Sequence, residues 1–134
     1  MDLTSGLRAF RRPWLWLGIW CFGWALCIVL SMMHPTDFRL DVPEGDKLEH
    51  FTAYAILSAW SVLIFAARRS HWKAAAALLA LGIAIELAQG AFTSDRTMDA
   101  RDALADALGI GFGQWLALFP AQLWLQRWDT RLFS

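Results

Sequence analysis

Residues 14–33 read WLWLGIWCFGWALCIVLSMM, a run with no charge in it. At 1.5 Å per residue, a helix of that length covers a hydrocarbon core of about 30 Å. The stretch therefore predicts a membrane-spanning helix, and its reading decides the fold. A cleaved secretory leader is the competing reading. Its apolar part would run about 7–15 residues and end in a small-x-small site. This run is longer and leads into MMHPTD at residues 32–37, so a retained span is expected. Pro13 opens the helix at a position where a missing N–H costs nothing.

Three further apolar stretches follow: LEHFTAYAILSAWSVLIFAA at residues 48–67, AAAALLALGIAIELAQGA at 74–91 and DALADALGIGFGQWLALF at 102–119. The last two are near the short limit for a span and carry acids at their ends, and Pro120 closes the fourth. The chain has 134 residues, 57% of them hydrophobic, with mean hydropathy +0.39 and nine Trp. A soluble domain is nearer 45–50% apolar, and Trp favours the headgroup boundary. Formal charge is zero, so no basic field exists for nucleic acid. Cys21 and Cys27 stand six apart on the first helix and point to different faces, which rules out a bridge between them. No metal-type cysteine spacing is present. The expected fold is all-α: one domain over residues 1–134, four transmembrane helices packed as a bundle. Tails 1–13 and 120–134 should lie on the membrane surface as short interfacial helices. Leu3, Leu7 and Phe10 alternate there with Arg8 and Arg11, and Leu123, Trp124 and Trp128 with Gln126, Arg127 and Arg131.

Charge gives the orientation. Arg8, Arg11 and Arg12 precede the first span, Arg68, Arg69 and Lys73 lie between the second and third, and Arg127 and Arg131 follow the fourth. The other two loops mix Arg39, Lys47, Arg96 and Arg101 with an excess of acids. Lys and Arg near the spans mark the cytoplasmic side, so both termini are expected inside and both acidic loops outside.

Helical spacing then groups the chemically capable residues. Lys47, His50, Tyr54, Ser58 and Ser61 recur at steps of three and four, within an arc of about 80°. Glu86 and Gln89 share a face of the third helix. Asp99, Asp102, Asp106, Gly109 and Gly113 share one on the fourth. A charged group at mid-bilayer costs about 2.5–3.5 kcal/mol, so Glu86 and Asp106 should turn inward and seek partners. Lys47, His50 and Arg96 are the available cations. Gly109 and Gly113 form a small-xxx-small face for close helix approach.

Each residue has a structural and a functional reading. Lys47 either snorkels or binds an anionic group. His50 is a hydrogen-bonded packing residue, a general acid/base or a metal ligand. Tyr54 anchors at the interface or hydrogen-bonds Glu86 or Asp102. Glu86, an acid inside a span, is an ion-pair partner for Arg96 or Lys47, or the reactive carboxylate. Gln89 orients Glu86 or a loop carbonyl. Arg96 clamps a phosphate or carboxylate with its planar fork, or pairs with Glu86 or Asp102. Asp99 is placed to cap the fourth helix, with Asp102 at its third position, where acids favour the helix dipole. Counting Glu86, Asp102 and Asp106 against Lys47 and Arg96 leaves one negative charge. A retained proton, a protonated His50 or a bound cation would balance it. A divalent metal on His50, Glu86, Asp102 and Asp106 is one form of the last, though no tight ligand motif is present.

The joint pattern Asp46-Lys47-x-x-His50-Phe51-x-x-Tyr54, Glu86-x-x-Gln89, Arg96-x-x-Asp99-x-x-Asp102 and Gly109 resembles the VanZ-like family of small bacterial membrane proteins. The resemblance spans residues 45–113, about half the chain. It departs at Asp106, where the family usually has Asn. The family name comes from a protein giving low-level resistance to the glycopeptide teicoplanin. The resemblance implies a multi-pass protein of the bacterial plasma membrane, in an antibiotic-resistance-associated family. Three functions fit the residues. The first is an enzyme at the outer leaflet acting on an envelope lipid, with Glu86, His50 and Asp102 catalytic. Lys47, Tyr54, Gln89, Arg96, Asp99 and Asp106 would then do the binding. The second is a non-catalytic protein binding a lipid-linked or small-molecule ligand. The third is an ion- or proton-linked transporter.

Overall fold

The computed structural model describes residues 6–33, 44–92 and 99–134. Among them the chain is helical and has no β-strand. Its elements are α1 (Pro13–Met32), α2 (Gly45–Ile64), α3 (Arg68–Phe92), α4 (Ala100–Gln114), two short 3-10 turns (Trp115–Leu118 and Pro120–Leu123) and α5 (Trp124–Leu132). Each of the four apolar stretches thus folds as a helix, with its ends displaced by a few residues. Two of these, α1 and α3, are by themselves long and apolar enough to cross a membrane. A third counts if α4 is taken with its continuation, which bends by 86° near Pro120. The bend has a local cause. Proline disfavours helical geometry in the residue before it, and Phe119 is extended, with φ −118° and ψ 151°.

α2 carries Asp46, Lys47, Glu49 and His50 in its first two turns. It nevertheless sits at the centre, packed most extensively on α4 and also touching α1, α3 and α5. Tyr54, Leu57, Ala75, Leu78 and Ile110 form an apolar layer across α2, α3 and α4. A second cluster, Leu7, Trp16, Leu63, Ile64 and Leu125, closes the basic end. α1 lies outermost, with Trp16 its one buried residue. Indole N–H groups latch it in place: Trp20 donates to the Leu57 carbonyl at 2.9 Å, and Trp60 donates to the Trp16 carbonyl at 3.2 Å. Trp14, Phe22, Ile56, Leu87, Leu108 and Phe112 all face outward. Apolar exposure on that scale suits lipid rather than water. Cys21 and Cys27 are free thiols.

The N-terminal tail departs from expectation. The described part is not an interfacial helix. Leu7 forms an antiparallel bridge with Phe65. The Arg8 amide donates to the Ile64 carbonyl at 2.8 Å, and the Ala66 amide to the Gly6 carbonyl at 3.0 Å. The Arg8 guanidinium adds bonds to the Val62 carbonyl and to Gln122 Oε1. A helix C-terminus leaves carbonyls without partners. Here the extended tail supplies donors to the end of α2, and that need outweighs the amphipathic pattern. Leu3 lies outside the described residues.

The C-terminal tail is helical, as expected, and its Trp124 and Trp128 stack on one another at 5.5 Å while facing outward. Its opposite face carries Leu125 and Asp129, both buried. Asp129 accepts from the Arg11 and Arg12 amides and from the Trp16 indole at 2.7 Å. One carboxylate therefore ties α5 to the start of α1.

Candidate functional site

The site exists because α2 and α4 can touch. An added Cβ at Gly109 would lie 2.3 Å from the Phe51 carbonyl oxygen. One at Gly113 would lie 2.5 Å from the Ala55 carbonyl oxygen and 2.6 Å from the Ala59 amide. The small-xxx-small face thus does what its spacing predicted. Ser58 Oγ donates to the Ile110 carbonyl at 2.7 Å, and Gln114 Nε2 reaches Ser58 Oγ at 2.9 Å and Ser61 Oγ at 3.3 Å. The lower half of the polar stripe on α2 is therefore helix–helix adhesive. Only its upper half belongs to the site.

There, His50 Nδ1 lies 2.8 Å from Asp106 Oδ1. With Asp106 ionised, its carboxylate can only accept, so Nδ1 would carry the proton and a neutral ring would keep a lone pair on Nε2. Nε2 is 3.9 Å from Asp102 Oδ2, beyond hydrogen-bond length. Asp106 is fully buried, and its carboxylate lies against Gly82 of α3, where a Cβ would meet Oδ2 at 2.6 Å. Oδ2 itself has no hydrogen-bond partner among the described residues.

Glu86 comes in from α3 and is 4% exposed. Its Oε2 accepts from the Asp99 amide at 3.0 Å, while Oε1 is buried without a partner among the described residues. A ring nitrogen of His50 and one carboxylate oxygen each of Glu86 and Asp102 lie within 4.8 Å of one another. Three helices thus deliver their ionisable groups to one place, as the stripes predicted.

Lys47 is the hub of the rim. Its ammonium lies 2.9 Å from Asp46, 3.1 Å from Asp102, 3.2 Å from Asp99 and 3.7 Å from Glu44. Lys47, Asp46 and Asp99 sit beyond the apolar segments. The bond to Asp46 raises the affinity of Lys47 for its proton, helped by Asp102 and Asp99. Lys47 in turn holds Asp46 below the usual carboxylate range. Asp99 is lowered too, first by the Arg101 amide and then by Lys47. Carboxylates lowered in this way keep their charge at neutral pH and lose the associated stabilisation only in acid, below their ordinary range. Around this site, among the described residues, Glu44, Asp46, Glu86, Asp99, Asp102 and Asp106 outnumber Lys47 and Arg101, and Lys47 already has acids on several sides. An incoming anion would find it occupied, which weakens the anion-binding reading of Lys47.

The remaining expected residues have definite places. Asp99 is the N-cap of α4, its side chain accepting from the Arg101 amide at 2.9 Å, and Asp102 is buried in the first turn. Tyr54 is buried, with the Cys27 thiol of α1 within hydrogen-bonding reach. Gln89 is buried and donates to the Ser31 carbonyl at 2.7 Å, which docks the end of α1. Arg96 lies outside the described residues. Sequence reasoning missed Gln114, Asp129 and the Asp99 amide. Gln114 stands one position beyond the stripe that ends at Gly113, so its spacing could have flagged it. A backbone amide leaves no signal in a sequence.

Comparison with protein-family models, with curated proteins and with solved structures finds no match to this chain.

Proposed function

We propose that this chain is a four-span protein of the bacterial plasma membrane, of VanZ-like type, with both termini cytoplasmic and its acidic end outside. In this reading the cluster of His50, Glu86, Asp102 and Asp106 acts on an envelope lipid headgroup at the outer leaflet, with Glu86 and His50 as acid and base. The resemblance in residues 45–113 and the distribution of Lys and Arg support the family and the orientation. The observation that carries the functional reading is the pair of buried carboxylate oxygens, Glu86 Oε1 and Asp106 Oδ2, that have no hydrogen-bond partner among the described residues. Buried polar atoms are almost always satisfied, and an exception beside a histidine has the character of a working site.

The excess of acid shapes the ligand. It favours contact through the amine or hydroxyl groups of a headgroup, or of a glycopeptide-type antibiotic, over direct contact with a phosphate. An accessory protein that binds such a ligand without chemistry is the second reading, and the same residues serve it. A transporter is disfavoured, because the apolar layer of Leu57, Leu78 and Ile110 lies directly below the site.

Glu86→Gln separates the first two readings. The protein is reconstituted with bacterial envelope lipids, and headgroup release and lipid retention are followed by mass spectrometry. Loss of a carboxylate acid/base lowers turnover by about 100-fold or more. Full turnover in Glu86→Gln would remove that residue from the mechanism. Lipid retained by wild type and variant alike, with no product from either, would favour the accessory reading.

A further inference from the structure

We propose that His50, Glu86 and Asp102 form a binding site for one divalent transition-metal ion, of the kind that accepts imidazole and carboxylate together, such as Zn²⁺ or Mn²⁺. The inference rests on side-chain geometry and on the same site as the proposed function; with an ion bound, His50 and Glu86 would act as its ligands instead of as free base and acid.

Each of the three side chains is held at one atom and leaves another unoccupied. His50 is held at Nδ1 by Asp106, 2.8 Å away. That leaves Nε2. Asp102 is held at Oδ1 by the Lys47 ammonium, 3.1 Å away. That leaves Oδ2, 3.9 Å from His50 Nε2. Glu86 is held at Oε2 by the Asp99 amide, 3.0 Å away. That leaves Oε1, buried and without a partner among the described residues. Ligands of a metal are typically fixed in this way by a second bond to the protein, and a carboxylate on the far nitrogen of a ligating histidine is the most recurrent form.

The dimensions are close to what an ion needs. Bonds of about 2.0–2.2 Å in tetrahedral geometry put ligand atoms about 3.4 Å apart. One ring nitrogen of His50 and one carboxylate oxygen each of Glu86 and Asp102 lie within 4.8 Å of one another, so the widest pair closes by at most about 1.4 Å, a rotamer adjustment. The donor set is one nitrogen and two oxygens with no thiolate, which suits Zn²⁺ or Mn²⁺. Charge also favours it, since the carboxylates here exceed the cations. Lys47 opposes a second cation but sits on the opposite oxygen of Asp102. Three protein ligands would leave one position open, and a water or a headgroup oxygen could occupy it.

The test uses untagged full-length protein in detergent, stripped with a chelator and returned to metal-free buffer. Mn²⁺ alone is titrated in and the free ion counted from its paramagnetic resonance, with Zn²⁺ then added as competitor. One ion per chain is expected. His50→Ala and Glu86→Gln should each weaken binding by about 100-fold or more, and Asp106→Asn by about 10-fold to 100-fold at unchanged stoichiometry, as outer-sphere changes do. Glu44→Gln, at the exposed rim, should leave affinity unchanged. Helical circular dichroism and a single elution peak check that each variant is folded. Less than a tenth of an ion per wild-type chain at about 0.1 mM metal would overturn the proposal regardless of how the variants fold. Binding that persists at full strength in a folded His50→Ala/Glu86→Gln double variant would overturn it as well, by assigning the ion to the rim acids. Neither result bears on lipid retention or headgroup release, so failure here is distinguishable from failure of the proposed function.

Discussion

Gly109→Ala lowers the stability of the folded protein by about 3 kcal/mol, at the upper end of what overpacking a core costs. The reason is the identity of the neighbour. The new methyl would meet the Phe51 carbonyl oxygen at 2.3 Å and the Ala55 amide at 3.1 Å. Backbone cannot swing aside as a side-chain tip can, so α2 and α4 must separate along their whole contact. Separation also pulls His50 from Asp106 and Ser58 from the Ile110 carbonyl. Gly113→Ala acts in the same way, through the Ala55 carbonyl oxygen and Ala59 amide. The double variant is expected not to accumulate as folded protein. Gly111 is the internal control. It lies between the two on the same helix, and an added Cβ there meets nothing within 4 Å. Gly111→Ala should be neutral, or stabilising by about 0.5–1 kcal/mol from helix propensity. Detergent-resistant thermal melts of the three single variants read these differences. Equal behaviour of Gly109→Ala and Gly111→Ala would contradict the helix packing.

Asp129→Ala has the second large effect, a loss of about 3 kcal/mol or more, because deleting a buried charged acceptor strands its donors. The carboxylate is fully buried and receives the Arg11 amide, the Arg12 amide and the Trp16 indole. Two of these sit at the N-terminus of α1, where amides have no helical partner and a negative charge is favoured. Trp16 belongs to the cluster that closes the basic end, so its stranded indole cannot turn to water. Asp129→Asn keeps one accepting oxygen and should lose about half as much. Trp124→Ala, on the exposed face of α5, should change little. Limited proteolysis from the C-terminus provides the readout: release of α5 should accelerate in Asp129→Ala and not in Trp124→Ala. Unchanged protection would show that α5 does not depend on this contact.

The contrast between these two places explains what the sequence made legible. Convergence at the acidic end was readable because it depends on a fixed period. Once residues 48–67, 74–91 and 102–119 are helices, Lys47 and His50, Glu86, and Asp102 and Asp106 must each face one way, and the cost of charge in lipid decides which way. Which carboxylate pairs with which cation was not readable, because that depends on helix rotations and on the Asp99 amide. Asp129 was invisible for a different reason. In the sequence it is one acid in a basic tail, and its partners lie more than a hundred residues away. Only Leu125, four residues before it on the same face, hinted at burial. The tail before α1 misled because amphipathic spacing is local, whereas the open carbonyls at the end of α2 form a tertiary demand. The 3-10 finish of the fourth stretch was half readable, since Pro120 announced the stop but not the turn.

α2, α3 and α4 bring their ionisable groups to the His50 imidazole. Nitrogen-15 resonance of the histidine rings reads this directly, with the His50 signals assigned by their absence in His50→Ala. The account predicts a ring protonated at Nδ1 in metal-free protein, whose signals shift on Glu86→Gln in α3 and on Asp102→Asn and Asp106→Asn in α4, and stay fixed on Asp129→Asn. His50 signals that ignore Glu86→Gln and Asp106→Asn would mean the helices carry their charges to separate places, and would contradict the account.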